Sequence, residues 1–221
     1  MKTLYIKFFS LLLLVCLSHV SQGQRYLDTN NPDDDQVKSL LGQGNEINGF
    51  GAVDIKVGDL AGERALLVGA YGGFIIDRKY LFGLAGYGIA TKVEIEGVNP
   101  GDASIKPLDL YGGYAGVFLG ISILPKEVVH VSIPILLGAG ALEISDGDFF
   151  TANPADSEFV VEKSGFFVVE PGMEVEFNLT RHFRLGLGAT YRHIAGSNLV
   201  NVDDRDLRGF TTVVSFRLGR F

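Results

Sequence analysis

The chain has 221 residues, 29 of them glycine, and carries 19 basic against 26 acidic side chains for a net charge of −7. That acidic balance argues against a nucleic-acid partner, and a single cysteine, Cys16, leaves no disulfide framework. The length suits one domain, and glycine at about twice its usual share, with abundant Phe and Tyr, points to β structure.

The first element reads as a secretory signal. Lys2 and Lys7 flank a basic start to an apolar run over residues 8–20, FFSLLLLVCLSHV, and Ser21 and Gly23 place small residues before a cleavage point after Gly23. The run is shorter than the roughly 20 residues that span a bilayer. Val15 precedes Cys16 where a lipidation site prefers Gly, Ala or Ser, so no lipid anchor is expected. Removing residues 1–23 removes Lys2, Lys7 and the cysteine, which leaves 17 basic against 26 acidic residues, a net of −9. Residues 24–47 are polar and turn-rich and read as a flexible leader.

From residue 48 onward, alternation predicts eight strands, at about 48–57, 63–76, 80–96, 107–124, 127–144, 165–179, 182–195 and 209–221. Several exceed the five or six residues usual in a soluble strand. The connections, 58–62, 77–79, 97–106, 125–126, 145–164, 180–181 and 196–208, alternate longer and short. Three tight turns therefore fall at one end and the long loops at the other, the layout of short periplasmic turns and long extracellular loops in a bacterial outer-membrane barrel.

The faces follow from parity. In the fourth strand Asp109, Tyr111, Ala115, Val117, Leu119, Ile121 and Ile123 oppose Gly112, Tyr114, Gly116, Phe118 and Gly120, and the tiny and large residues of the second set suit a narrow lumen. In the sixth, Phe167, Val169, Met173, Val175 and Phe177 oppose Glu170, Glu174 and Glu176; in the seventh, Phe183, Leu185 and Leu187 oppose Arg184 and Arg192. Alternation alone leaves a soluble ligand-binding barrel open as the other solution, with the apolar face inward. Three features favour the membrane barrel: glycine mixed with large residues on the polar face, the sorted loops, and an aromatic final strand. Pro134 and Pro171 lie inside strands and predict bulges or ragged ends.

On the membrane reading the inward charges are Asp54, Lys56, His130, Glu170, Glu174, Glu176, Arg184, Arg192 and Arg217. Buried charge is costly unless paired and hydrogen-bonded, so these nine are expected to form a structural network that fills the lumen.

The signal, the eight amphipathic strands, the sorted loops and the closing aromatic strand TTVVSFRLGRF resemble the small OmpA/OmpX-type outer-membrane β-barrel superfamily of Gram-negative bacteria. The resemblance covers about residues 48–221 and implies an all-β, eight-stranded, antiparallel up-and-down transmembrane barrel, a periplasmic leader over 24–47, and an outer-membrane location. It implies outer-membrane lipid and lipopolysaccharide as surroundings, the barrel-assembly machinery as a partner read through Phe216, Leu218 and Phe221, and no cofactor. Phe216 and Leu218 share one parity and Phe221 has the other. A bulge or twist near Gly219, or a Phe221 that leaves strict alternation, is therefore expected, in a last strand that closes on the first.

Some barrels of this superfamily edit lipid A, the deacylase type using His, Ser and a carboxylate. Here His193, Ser197 and Asp203 offer those residue types, but the step from His to Ser is four residues where that family resembles His-x-Ser-Asn. Asp146 with Asp148, and Asp203, Asp204 with Asp206, offer oxygens to a cation without a complete calcium-loop signature, and no metal is expected. The long connection 145–164 is the better functional candidate on length, with Phe149 and Phe150 near its start. The reading favoured by these residues is a non-enzymatic barrel that acts through its loops on a surface ligand or protein.

Overall fold

The computed structural model describes residues 46–98, 104–146 and 160–221. The signal, the leader up to residue 45, Asp148, Phe149 and Phe150 lie outside the described residues.

Among the described residues the chain forms nine strand segments, β1 (Ile47–Leu60), β2 (Glu63–Ile76), β3 (Tyr80–Ile89), β4 (Glu94–Val98), β5 (Ile105–Ile123), β6 (Val129–Ser145), β7 (Val160–Asn178), β8 (Phe183–Ala195) and β9 (Gly209–Gly219). All pair antiparallel with sequence neighbours, except that β3 passes over β4 to pair with β5, and β1 pairs with β9 from Phe50↔Gly219 to Gly58↔Thr211, which closes the ring. The ring has eight staves, because β3 and β4 both pair with β5 and are two halves of one stave.

The parity argument holds along most of the ring, the exception being the loop end of β5, where Asp109 and Tyr111 on the outward parity are buried. Leu84, Val117, Met173, Phe167 and Leu187 face outward and are exposed, while Ala85, Phe118, Glu174, Phe166 and Arg184, on the opposite parity of the same strands, are buried inside. The interior holds aromatic groups as well as charge: the Tyr71 and Phe118 rings lie 4.5 Å apart, and those of Tyr87 and Tyr114 lie 5.4 Å apart.

Three details depart from the expectations, and a fourth bears one out. First, the connection expected over 58–62 shrinks to Ala61-Gly62, because Gly58, Asp59 and Leu60 continue the ladder opposite Ala65, Arg64 and Glu63. Both turn residues have positive φ, 53° and 84°, as a two-residue turn matched to strand twist requires. Second, the stave expected to run unbroken over 80–96 is interrupted at 90–93. There the Ala90 N–H donates to Leu66 O, the Thr91 hydroxyl accepts from Leu66 N–H, and Val93 O accepts from Leu110 N–H. Third, the prolines cause no register shift. Pro134 lies opposite Gly120 in the β5–β6 ladder, and Pro171 lies opposite Ile135 in the β6–β7 ladder. Pairing lapses beside them and resumes in the same register, with Gly172 giving room to the Pro134 ring. Fourth, β9 ends at Gly219, and Phe221 leaves the strand.

Glycine makes the tight wall possible at Gly116 and Gly138, which face each other across β5 and β6. A Cβ on Gly138 would collide with the Ala115 carbonyl, and one on Gly116 with that of Leu137. Gly51, by contrast, faces open space. Gly138→Val is expected to lower stability by about 1–3 kcal/mol in urea unfolding of the detergent-folded barrel. Gly51→Ala is expected to be near neutral in the same assay.

Candidate functional site

The side chains that share the lumen come from all eight staves, the charged ones from β1, β6, β7, β8 and β9, and only the period-two alternation of each strand aims them inward. They form two linked layers. In the layer nearer the tight turns, Arg217 from β9 donates to Glu176 from β7, contacts Glu174 at 3.5 Å, and donates to the Tyr71 hydroxyl. His130 Nε2 lies 2.9 Å from Glu176 Oε2, Arg184 Nη1 reaches the same oxygen at 3.4 Å, and Tyr71 shares a 2.8 Å hydrogen bond with Ser215.

In the next layer Lys56 from β1 donates to Glu170 Oε1 at 2.8 Å and lies 3.4 Å from the centre of the Tyr87 ring. Glu170 also accepts from Tyr114 at 2.6 Å and Thr190 at 2.5 Å, and Asp54 accepts from Tyr87 at 2.7 Å. A cavity of about 10 Å³ remains among Asp54, Lys56, Glu170, Glu174 and Thr190, room for about one water molecule.

Eight of the nine expected lumen charges are brought into these layers, and Arg192 is the exception. It is buried, but it spends its guanidinium on backbone: Nε donates to Leu207 O and Nη2 to Asp59 O, each at 2.9 Å. Its height in the barrel explains this. Arg192 lies beyond the charge layers, opposite Gly209 at the start of β9, where residues 196–208 fold over the mouth. Val202 and Leu207 are buried there, Asp206 O accepts from Ala61 N–H, and Arg208 donates to Ile194 O at 2.7 Å. Tyr71, Tyr87, Thr190 and Ser215 belong to the network as fully as the charges do. Their lumen parity was visible, but nothing in their types marks them as partners rather than filler.

The loop-end acids have local uses. Asp204 accepts from the Gly196 and Ser197 N–H groups at 2.9 and 3.0 Å, and Asp203 accepts from Arg205 N–H. Asp146 pairs with Lys106 at 2.5 Å. Among the described residues no three metal-ligating side chains converge. His193 is exposed at the end of β8, and no hydrogen bond joins it to Ser197 or Asp203. At the opposite end, Phe216 and Leu218 point outward while the Phe221 ring lies 3.9 Å over the Arg184 guanidinium. The three residues therefore do not share a face.

No family model and no curated protein matches the chain. Solved structures match it in fold. The Neisserial surface protein A aligns with a TM-score of 0.52 at 12% identity, over 81% of this chain and 100% of that one. The N-terminal β-barrel domain of OprF from Pseudomonas aeruginosa aligns at 0.47 and 9% identity over 77% and 96%. Ail, the attachment invasion locus protein of Yersinia pestis, aligns at 0.40 and 14% identity over 78% and 97%. The fold shared with the Neisserial surface protein A is an antiparallel β-barrel closed by eight staves.

Two outcomes are expected. Glu170→Leu leaves Lys56 buried without its partner and should cost about 3–5 kcal/mol, whereas Lys56→Met combined with Glu170→Leu should recover much of that loss; urea midpoints of the three proteins measure it. At the mouth, burial alone would raise the Asp204 pKa, but hydrogen bonds from Ser197 and the Gly196 N–H, with the Arg208 charge, hold it below its ordinary 3.8. A depressed folded value makes the carboxylate's contribution complete above pH 3.8 and lost as pH falls through the folded value. The protection factors of the Gly196 and Ser197 amides, exchange rates divided into the intrinsic rate at each pH, should therefore fall in acid, and Asp204→Asn should remove that dependence.

Proposed function

We propose that the chain is a non-enzymatic integral barrel of the bacterial outer membrane, its tight turns in the periplasm and its loops presented at the cell surface. The observation that carries this reading is the inversion of the faces. Leu84, Phe82, Phe74, Met173 and Phe167 are each more than half exposed, and similar residues continue around the ring. A soluble monomer rarely exposes a contiguous apolar patch beyond a few hundred Å², whereas lipid is the natural solvent for such a belt. In lipid every backbone polar group must be satisfied internally, and the β1–β9 pairing does this.

The filled lumen supports a structural rather than a conducting role, since the cavities among its buried side chains are each about 10 Å³. The unconnected His193 and Ser197 support the non-enzymatic side of the reading. The loop end supports a surface role: Asn201 hydrogen-bonds Val98 and Glu162, and Val200 N–H donates to Glu162. These bonds tie β4, β7 and the last loop into one platform, on which Val200 is 88% exposed. The outer-membrane lipid and lipopolysaccharide around the belt, and the assembly machinery that would insert it, belong to the same reading.

Fractionation tests it. The protein should stay with outer membranes through high-salt and alkaline washes, leave only with detergent, and migrate at a different apparent mass unboiled than boiled. A detergent-independent aqueous monomer would contradict it. Loss of an acyl chain from labelled lipid A with the wild type, but not with His193→Ala, would overturn the non-enzymatic part.

A further inference from the structure

The three turns at the end of the barrel away from Ala61-Gly62 lie far apart in the chain, yet each delivers a cation to one place. Arg78 comes from the β2–β3 turn, Lys126 from the β5–β6 turn and Arg181 from the β7–β8 turn. Together with Arg184, Thr180 and Phe221 they line a pocket of about 320 Å³ at the tight-turn mouth of the barrel. No Asp or Glu side chain is among its lining residues, although Phe221 brings the terminal carboxylate of this chain to its edge.

The cations in this pocket are incompletely used. Lys126 and Arg181 are exposed, and their side chains take part in no hydrogen bond or ion pair with the described residues. Arg78 has a carboxylate partner, Glu46, at 3.0 Å, and its Nε has none. Arg184 is the second and independent sign. Its side chain is 1% exposed, its contacts to Pro125 O and Glu176 are long at 3.3 and 3.4 Å, and its Nε is without a partner. Phe221 covers one face of that guanidinium, which fixes the plane of the fork at the pocket's inner wall. A buried guanidinium with spare donors is costly, and planar Arg forks joined by a Lys suit the several oxygens of one oxyanion.

We propose that this pocket binds a phosphate-type oxyanion, with Arg184 as its inner donor and Lys126 and Arg181 as the outer clamp. Because Arg184, Asn178 and Phe221 place it over the lumen rather than on the lipid-facing wall, the occupant enters from the aqueous side. The phosphate belongs either to a soluble phosphate ester or to an anionic headgroup leaning over the turns, and the binding chemistry is the same.

The test uses the full chain refolded in zwitterionic detergent and titrated with inorganic phosphate and pyrophosphate at constant ionic strength, because nonspecific attraction is screened by salt. Side-chain resonances of Lys126, Arg181 and Arg184 are followed by NMR. The expected result is a saturable one-to-one shift that chloride does not reproduce, weakened about tenfold in the variant Lys126→Ala with Arg181→Ala. Both positions are exposed, so this variant should keep the wild-type urea midpoint. A shift that does not saturate, that chloride reproduces, or that the double variant retains would overturn the proposal. A parallel measurement in phosphatidylcholine nanodiscs, with and without phosphatidylglycerol, identifies the source: shifts caused by the anionic lipid support a headgroup, and shifts from soluble phosphate alone support a soluble ester.

Discussion

A ring of eight strands closes with an interior only about as wide as the side chains it must hold. From that constraint most of this molecule follows. Pairing of β1 with β9 closes the ring, and β4, which pairs with β5 alone, extends beyond the closed part at the loop end. Closure at so small a circumference brings backbones together, which Gly116 and Gly138 permit by having no Cβ to collide with the facing carbonyls. What remains inside must be filled without voids, and the filling is partly charged because the apolar residues of each strand have gone to the other face.

A buried, charged interior is stable only if its groups satisfy one another. The pairing here is distributed rather than local. Glu176 draws on His130, Arg184 and Arg217 from three other strands, and Glu170 draws on Lys56, Tyr114 and Thr190 from three. Each layer therefore fixes the mutual register of strands that are distant in sequence. The ends are finished differently: Arg192 and the buried Leu207 fasten the last loop over one mouth, while Phe221 stacks on Arg184 at the other.

Much of this architecture was legible in the sequence because a period of two is a local property. The exposed Met173 beside the buried Glu174 could be read from five residues of context. The position of Arg192 could not, since parity gives the face but not the height, and its partners are backbone carbonyls of residues 59 and 207. The break at 90–93 was hidden for a related reason: the pattern continues on both sides of it, and the hydrogen bonds that create it come from Leu66 and Leu110 on neighbouring strands. The Ala61-Gly62 turn escaped because Gly58 and Asp59 look like turn residues, while the pairing with Arg64 and Ala65 carries the strand through them. Convergence of the three turn cations on one pocket depends on ring closure and has no local signature.

The central claim is that the apolar faces meet lipid and the charged faces meet one another. It is tested most directly by spin labels on single cysteines at Leu84 and Met173, which face out, and at Ala52 and Val213, which face in, in a chain whose only cysteine, Cys16, has been replaced. In bilayers the outward labels should collide readily with dissolved oxygen and hardly at all with a water-soluble nickel complex, and the inward labels should be shielded from both. Outward labels that meet the nickel complex as freely as an exposed loop would contradict the account.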